Sequence, residues 1–110
     1  MRWLYHVALR TDLPSPGADY APASLGREGF IHASYRDAVR ESARLYFPPG
    51  ADVVVLRIDP RRLGASRLEV AETPRGPMPH VHGPLRPEAI AEQLGVEEAA
   101  AGPDQLDGTG

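Results

Sequence analysis

The sequence contains no cysteine and no lysine. Without a thiol there is no disulfide, no thiolate metal site and no cysteine nucleophile, and the redox compartment stays open. All twelve basic residues are arginine, set against fifteen acidic ones for a formal charge of −3. A net-negative chain lacks the broad positive surface of a non-specific nucleic-acid binder, although a local arginine cluster can still grip a phosphate. No apolar run approaches the roughly 20 residues of a membrane-spanning helix. The opening residues, Met1-Arg2-Trp3-Leu4-Tyr5-His6, are too short and polar a run for a signal peptide, so a cytoplasmic protein is expected. Also missing are HExxH, Gly-x-Ser-x-Gly, Walker A and GxGxxG motifs, which removes the metal, nucleophile and phosphate-loop sites that depend on them.

What is present fits one small domain. The 110 residues are 42% hydrophobic and 25% charged, ordinary values for a folded chain with a single core. Eleven glycines and twelve prolines make up about a fifth of it, against an average of about 12%. Loops should therefore be many and regular elements short.

Residues 3–9 (WLYHVAL) read as a strand with Leu4, His6 and Ala8 on one face and Trp3, Tyr5, Val7 and Leu9 on the other. Residues 11–28, punctuated by three prolines and two glycines, read as a long loop, of the kind that is usually functional or mobile. Residues 29–33 (GFIHA) form a second short strand, after which Ser34 is expected to cap a helix over 35–47, with Asp37 as capping-box partner. Tyr35, Ala38, Val39, Ser42, Leu45 and Tyr46 make that helix amphipathic, with Arg36, Arg40, Glu41 and Arg44 outward. Residues 52–59 (DVVVLRID) are apolar enough for a strand buried on both faces. A turn at 60–64 points Leu63 inward, a short strand covers 67–71, and 73–79 reads as a Pro/Gly loop. His80-Val81-His82 is extended, since prolines flank it. Residues 86–94 are open to either a short helix or a closing strand, and 96–110, with little to bury, are expected to be disordered. The order suggests an α+β domain over 1–95, with a mostly antiparallel sheet and one main helix.

The chemistry concentrates in four histidines, His6, His32, His80 and His82, all on strands or extended segments. A lone strand histidine is most simply a half-buried ring bonded to a carbonyl, but four in so small a domain point to a shared site. His80-x-His82 on a strand presents two imidazoles to one face, a metal half-site that His6, His32 or Glu69 would complete. Arg61-Arg62 is either a phosphate grip or a solvated turn. Glu69, mid-strand between Leu68 and Val70, either faces solvent or points inward as a catalytic carboxylate.

Four strings in order carry a family resemblance: Leu4-Tyr5-His6-Val7; Ser24-Leu25 with Glu28-Gly29-Phe30-Ile31-His32-Ala33-Ser34; residues 54–60 (VVLRIDP) with Leu63; and Pro79-His80-Val81-His82-Gly83-Pro84-Leu85. Together they resemble the domain-of-unknown-function family 952, over residues 3–94. That resemblance implies a fold similar to the ADP-ribosyltransferases, nearest the RNA 2′-phosphotransferase branch, with a split sheet clasping NAD. It implies that Tyr5-His6 contacts the dinucleotide, with His6 as donor, that His32 and Ser34 line the nicotinamide-ribose side, and that the segment with His80 and His82 flanks the cleft. The implied chemistry is dissociative transfer through a ribosyl oxocarbenium, with a carboxylate on the 2′-hydroxyl. The chain departs from the pattern by having no Glu-x-Glu or Gln-x-Glu near its last strands, no evident arginine set for a phosphate, and His82 where a tyrosine is expected. Glu69 and His80 are then the candidates for the catalytic group, together with His32. The expected function is an ADP-ribosyltransferase-like protein that binds NAD or a related nucleotide, with an unknown acceptor. A non-catalytic nucleotide sensor and a small histidine-based metal enzyme are the alternatives.

Overall fold

The apolar run near the middle of the chain sets the architecture. In a computed structural model, which describes residues 1–106, it forms β3 (Val53–Ile58), the centre of an antiparallel sheet ordered β1 (Leu4–Leu9), β3, β6 (Ile90–Leu94). A second antiparallel sheet has the order β2 (Ile31–His32), β5 (Gly76–His82), β4 (Arg67–Thr73). Strand alternation divides the core in two. Leu4, Ala8, Val54, Leu56 and Ile58 pack with Ile31, Val81 and Leu85 in one cluster. Tyr5, Val7 and Val55 pack on the other side with Val39 of α2 (Val39–Tyr46) and Ala99 of α3 (Val96–Ala100). The α+β class, the antiparallel sheets and the single main helix are as expected, and Leu63 is buried. No helix among the described residues is long and apolar enough to cross a membrane.

The motif glycines are turn residues. Gly29 closes α1 (Ala23–Glu28) in a left-handed conformation at φ 84°, its N–H bonding to the Leu25 carbonyl. Gly83 ends β5 at φ 134°, where an added Cβ would lie 2.4 Å from Ser66 Oγ.

Several expectations need correction. The loop at 11–28 contains α1, which lacked a hydrophobic period long enough to show in sequence. Ser34 does not cap a helix: a 3₁₀ turn at Arg36–Ala38 precedes α2, neither start has a side-chain cap, and Asp37 pairs with Arg36 instead. Leu45 and Tyr46 are more than half exposed, because α2 turns only Val39 and Ser42 fully inward.

The Pro/Gly stretch at 73–79 is mostly strand, the turn of a β4–β5 hairpin. The Pro79 carbonyl accepts from Ala33 N–H, so the Pro79 nitrogen also faces the β2 side and costs the β4 ladder no hydrogen bond. Residues 86–94 satisfy both readings in turn, as a 3₁₀ turn at Pro87–Ala89 running into β6. Arg61 and Arg62 form a turn closed on the buried Asp59, whose carboxyl the hydrogen bond from Arg61 holds below its usual range.

Residues 96–106, expected to lack structure, form α3 and then return along the N-terminus. Ala99 and Leu106 are buried, Tyr5 Oη donates to the Pro103 carbonyl at 2.6 Å, and Arg2 pairs with Asp104. Residues 107–110 of that expected tail lie outside the described residues.

Truncation after Gly95 should therefore lower the urea midpoint of unfolding well below that of the full chain, since it uncovers Tyr5 and Val55. Leu56→Ala, which empties the centre of the first sheet, should cost about 2–5 kcal/mol in the same measurement. An unchanged midpoint on truncation would return 96–106 to the status of a dispensable tail.

Candidate functional site

The two sheets meet at one edge and part beyond it. Tyr5 and Ser34 exchange backbone hydrogen bonds of 2.8 and 2.7 Å, joining β1 to the chain that leaves β2. Where they separate, a cleft of about 890 Å³ opens between β1, α1, α2 and the β4–β5 hairpin.

His6 stands in its wall, buried. One ring nitrogen, Nδ1, faces the His32 carbonyl oxygen, and Nε2 lies 2.8 Å from Tyr20 Oη. A carbonyl only accepts, so Nδ1 carries the proton and the Tyr20 hydroxyl donates to Nε2. Burial opposes charge on this ring and brings its pKa down to about 4, so it is neutral at pH 7. Both nitrogens are thus committed within the protein, and His6 has no free donor for a ligand. Burial likewise pushes the Tyr20 hydroxyl up from its usual range.

His32 and His80 border the cleft with their side chains. His32 Nε2 lies 2.9 Å from Glu28 Oε1, at the end of α1 across the Gly29 turn. Phe30 stacks on His80 at 4.0 Å and meets His32 edge-on at 4.8 Å. Desolvation, reinforced by the neighbouring His32, lowers the pKa of His80. His82 shares the sheet face but lies outside the cleft lining, with Nε2 2.7 Å from Glu69 Oε1. That hydrogen bond holds the exposed Glu69 carboxyl below its usual range.

Of the residues singled out in the sequence, the cleft brings together His6, His32, Ser34 and His80. It does not include Tyr5, whose side chain points to the opposite face of β1, nor Glu69 and His82, which pair with each other. Nor do the imidazoles converge on an ion. Among the described residues no three His, Asp or Glu side chains are placed to hold one, and His32 and His82 are each paired with a carboxylate of their own.

Sequence reasoning missed Tyr20, Glu28, Arg27, Ser42 and Arg75 as cleft residues. Arg75, at the hairpin tip, reaches α2, where it donates to Glu41 Oε1 at 2.7 Å and Ser42 Oγ at 3.0 Å. Ser42 Oγ is in turn 2.6 Å from Ser34 Oγ. The Glu28–His32 pair was not readable as a helical spacing, because α1 ends at Glu28 and the chain turns at Gly29 before β2. Nothing in the sequence marked Tyr20, which is held by paired backbone bonds to Leu85.

The model of a family described as "Protein of unknown function (DUF952)" matches residues 12–93. The chain is similar to the X-ray crystal structure of protein CC0527 from Caulobacter crescentus, with 23% identity and a TM-score of 0.71 over 96% of this chain and 89% of that one. A double mutant of that protein matches equally in fold, at 22% identity and a TM-score of 0.71. At this identity the likeness shows the fold alone. No curated protein matches the sequence.

His6 makes stability depend on pH with a definite sign. Below 6.5 the unfolded chain takes up a proton that the folded protein refuses until about 4. This contribution, about 3 kcal/mol, is therefore complete above pH 6.5 and is lost as pH falls towards 4. Urea unfolding of the wild type and of His6→Gln should show the wild type losing about 2–3 kcal/mol more between pH 7 and 4.5. Parallel pH profiles would mean that His6 holds its proton alike in both states.

Proposed function

The chain belongs to the DUF952 family, and we propose that the cleft between its sheets binds NAD or a related nucleotide, within a fold of the ADP-ribosyltransferase kind. The cleft volume, about 890 Å³, falls in the range of small-molecule sites, about 300–1,000 Å³. The observation that carries the reading is the lining. Two imidazole faces (His32, His80) and the Tyr46 ring share the cleft with the guanidinium group of Arg27, whereas Arg75, also in the lining, is already tied to Glu41 and Ser42. Flat rings suit a base or the nicotinamide, and guanidinium groups suit phosphate oxygens. Arg27 has no hydrogen bond or ion pair within the described residues, so its donors are free for a ligand. Two antiparallel sheets that touch at one edge and part around the cleft also support the reading. A cytoplasmic setting belongs to the same proposal.

Transfer of ADP-ribose is the further half of the reading. It needs a carboxylate where positive charge develops on the ribose. Glu69 lies outside the cleft on His82, whereas Asp12 and Glu28 border it. The displaced Glu69 favours the second reading, a nucleotide-binding module without transfer, and makes Glu28 the carboxylate to test.

Proton NMR of the imidazole signals, titrated with NAD on metal-free protein and assigned with His32→Gln and His80→Gln, separates these outcomes. His32 and His80 should shift together and saturate, while His82 on its outer carboxylate stays in place. Arg27→Ala should weaken that binding about tenfold. Nicotinamide release that disappears in Glu28→Gln would establish transfer, and binding without release the module. Histidine signals that ignore NAD would refute the nucleotide reading.

A further inference from the structure

The buried hydroxyl pair beneath the hairpin tip has one proton too many. Ser34 and Ser42 are each 4% exposed, and their oxygens are 2.6 Å apart. Both border the cleft. A serine hydroxyl has one proton to give and two lone pairs to receive with, whereas arginine only donates. Arg75 Nη2, at 3.0 Å, therefore fills one acceptor position on Ser42 Oγ. The contact between the two serines uses one hydroxyl proton, and the other finds no acceptor among the described residues. Accepting from a cation polarises Ser42 and makes its O–H the better donor. Ser42 thus donates to Ser34, and the unspent proton is that of Ser34.

We propose that Arg75 and Ser42 are positioning residues that turn the Ser34 hydroxyl into a hydrogen-bond donor aimed into the cleft, for a ribose or phosphate oxygen of the ligand. Arg75 is suited to the task because it is fixed from both sides. Its Nε donates to Glu41 on α2 at 2.7 Å, and its own N–H bonds to Thr73 Oγ1 in the hairpin turn at 3.0 Å. The relay also accounts for an inward-facing serine on α2, where an apolar residue would pack without a polar atom to satisfy. The ligand's identity rests on the nucleotide reading; the orientation of the hydroxyl does not.

Two measurements decide the matter. In NAD binding, Ser34→Ala, Ser42→Ala and Arg75→Met should each weaken affinity about five- to tenfold. The double variant Ser34→Ala/Ser42→Ala should be no weaker than Ser34→Ala alone, since both remove the same bond. Arg75→Lys, which keeps a cationic donor for Ser42, should recover part of the loss, and unchanged urea midpoints would separate these effects from folding. Additive losses, or wild-type affinity in both Ser42→Ala and Arg75→Met, overturn the relay while leaving nucleotide binding intact. The second measurement needs no ligand. In low-temperature proton NMR the Ser42 hydroxyl proton should be protected from exchange and the Ser34 proton not, and Arg75→Met should abolish the difference. If the wild type does not bind NAD, the nucleotide reading fails, and this exchange pattern alone upholds or, if reversed, overturns the relay.

Discussion

The seam between β1 and the chain leaving β2 is the contact on which everything else depends. Each belongs to the edge of its own sheet, and an edge leaves backbone N–H and C=O groups without partners. Tyr5 and Ser34 satisfy one another by backbone exchange, but the adjacent His32 carbonyl is satisfied by the His6 ring. A side chain has taken the place of a strand. That substitution lets the sheets stop pairing after one bridge without stranding a buried acceptor, and the cleft is the space so released. It demands a proton on Nδ1, and it is burial, not this hydrogen bond, that keeps the ring neutral.

Four chemically identical side chains have been given four settings by the backbone around them. His6 is a structural donor, and His32 is paired with Glu28 at the cleft rim. His80 is stacked on Phe30, and His82 is tied to Glu69 away from the cleft. Strand register explains the grouping. His32 and His80 are paired residues on neighbouring strands, so their side chains rise from the same face, and His82 follows two residues on. The equal spacing of His80 and His82 promised a shared site, but the partner strand supplied Glu69 to only one of them.

What the sequence made legible was whatever depends on alternation and local chemistry. The faces of β1, the doubly buried β3, the shared face of His80 and His82 and the inward Leu63 all follow from residue period and composition. The misread parts depend on partners far along the chain. The prolines of β5 look like loop signals until Ala33 shows which side their nitrogens face. Residues 96–106 look too polar to fold until Tyr5 supplies an acceptor's need with its hydroxyl and α2 a surface for Ala99. Ser34 has the local signature of a helix cap, yet its hydroxyl goes to Ser42, eight residues on. The histidine face of the cleft was legible; the arginine and carboxylate groups around it were set by tertiary packing.

Within the nucleotide reading, the position of the carboxylates constrains the chemistry more than their number does. A group that steadies a ribosyl cation must reach the ribose with an oxygen still able to accept. Glu69 is half exposed to solvent and already bonded to His82, so neither its place nor its surroundings favour that role. Glu28 stands differently. It borders the cleft, and among the described residues only its Oε1 is engaged, by His32 Nε2. The other oxygen is left to accept from a sugar hydroxyl while the imidazole fixes the carboxylate's orientation. Ser34, donating from the cleft wall, would meet an acceptor on the same ligand. A donor on one wall and an oriented acceptor at the rim would distinguish a ribose, which offers both kinds of oxygen contact, from a fully deprotonated anion such as sulfate, which has no hydroxyl to give to Glu28.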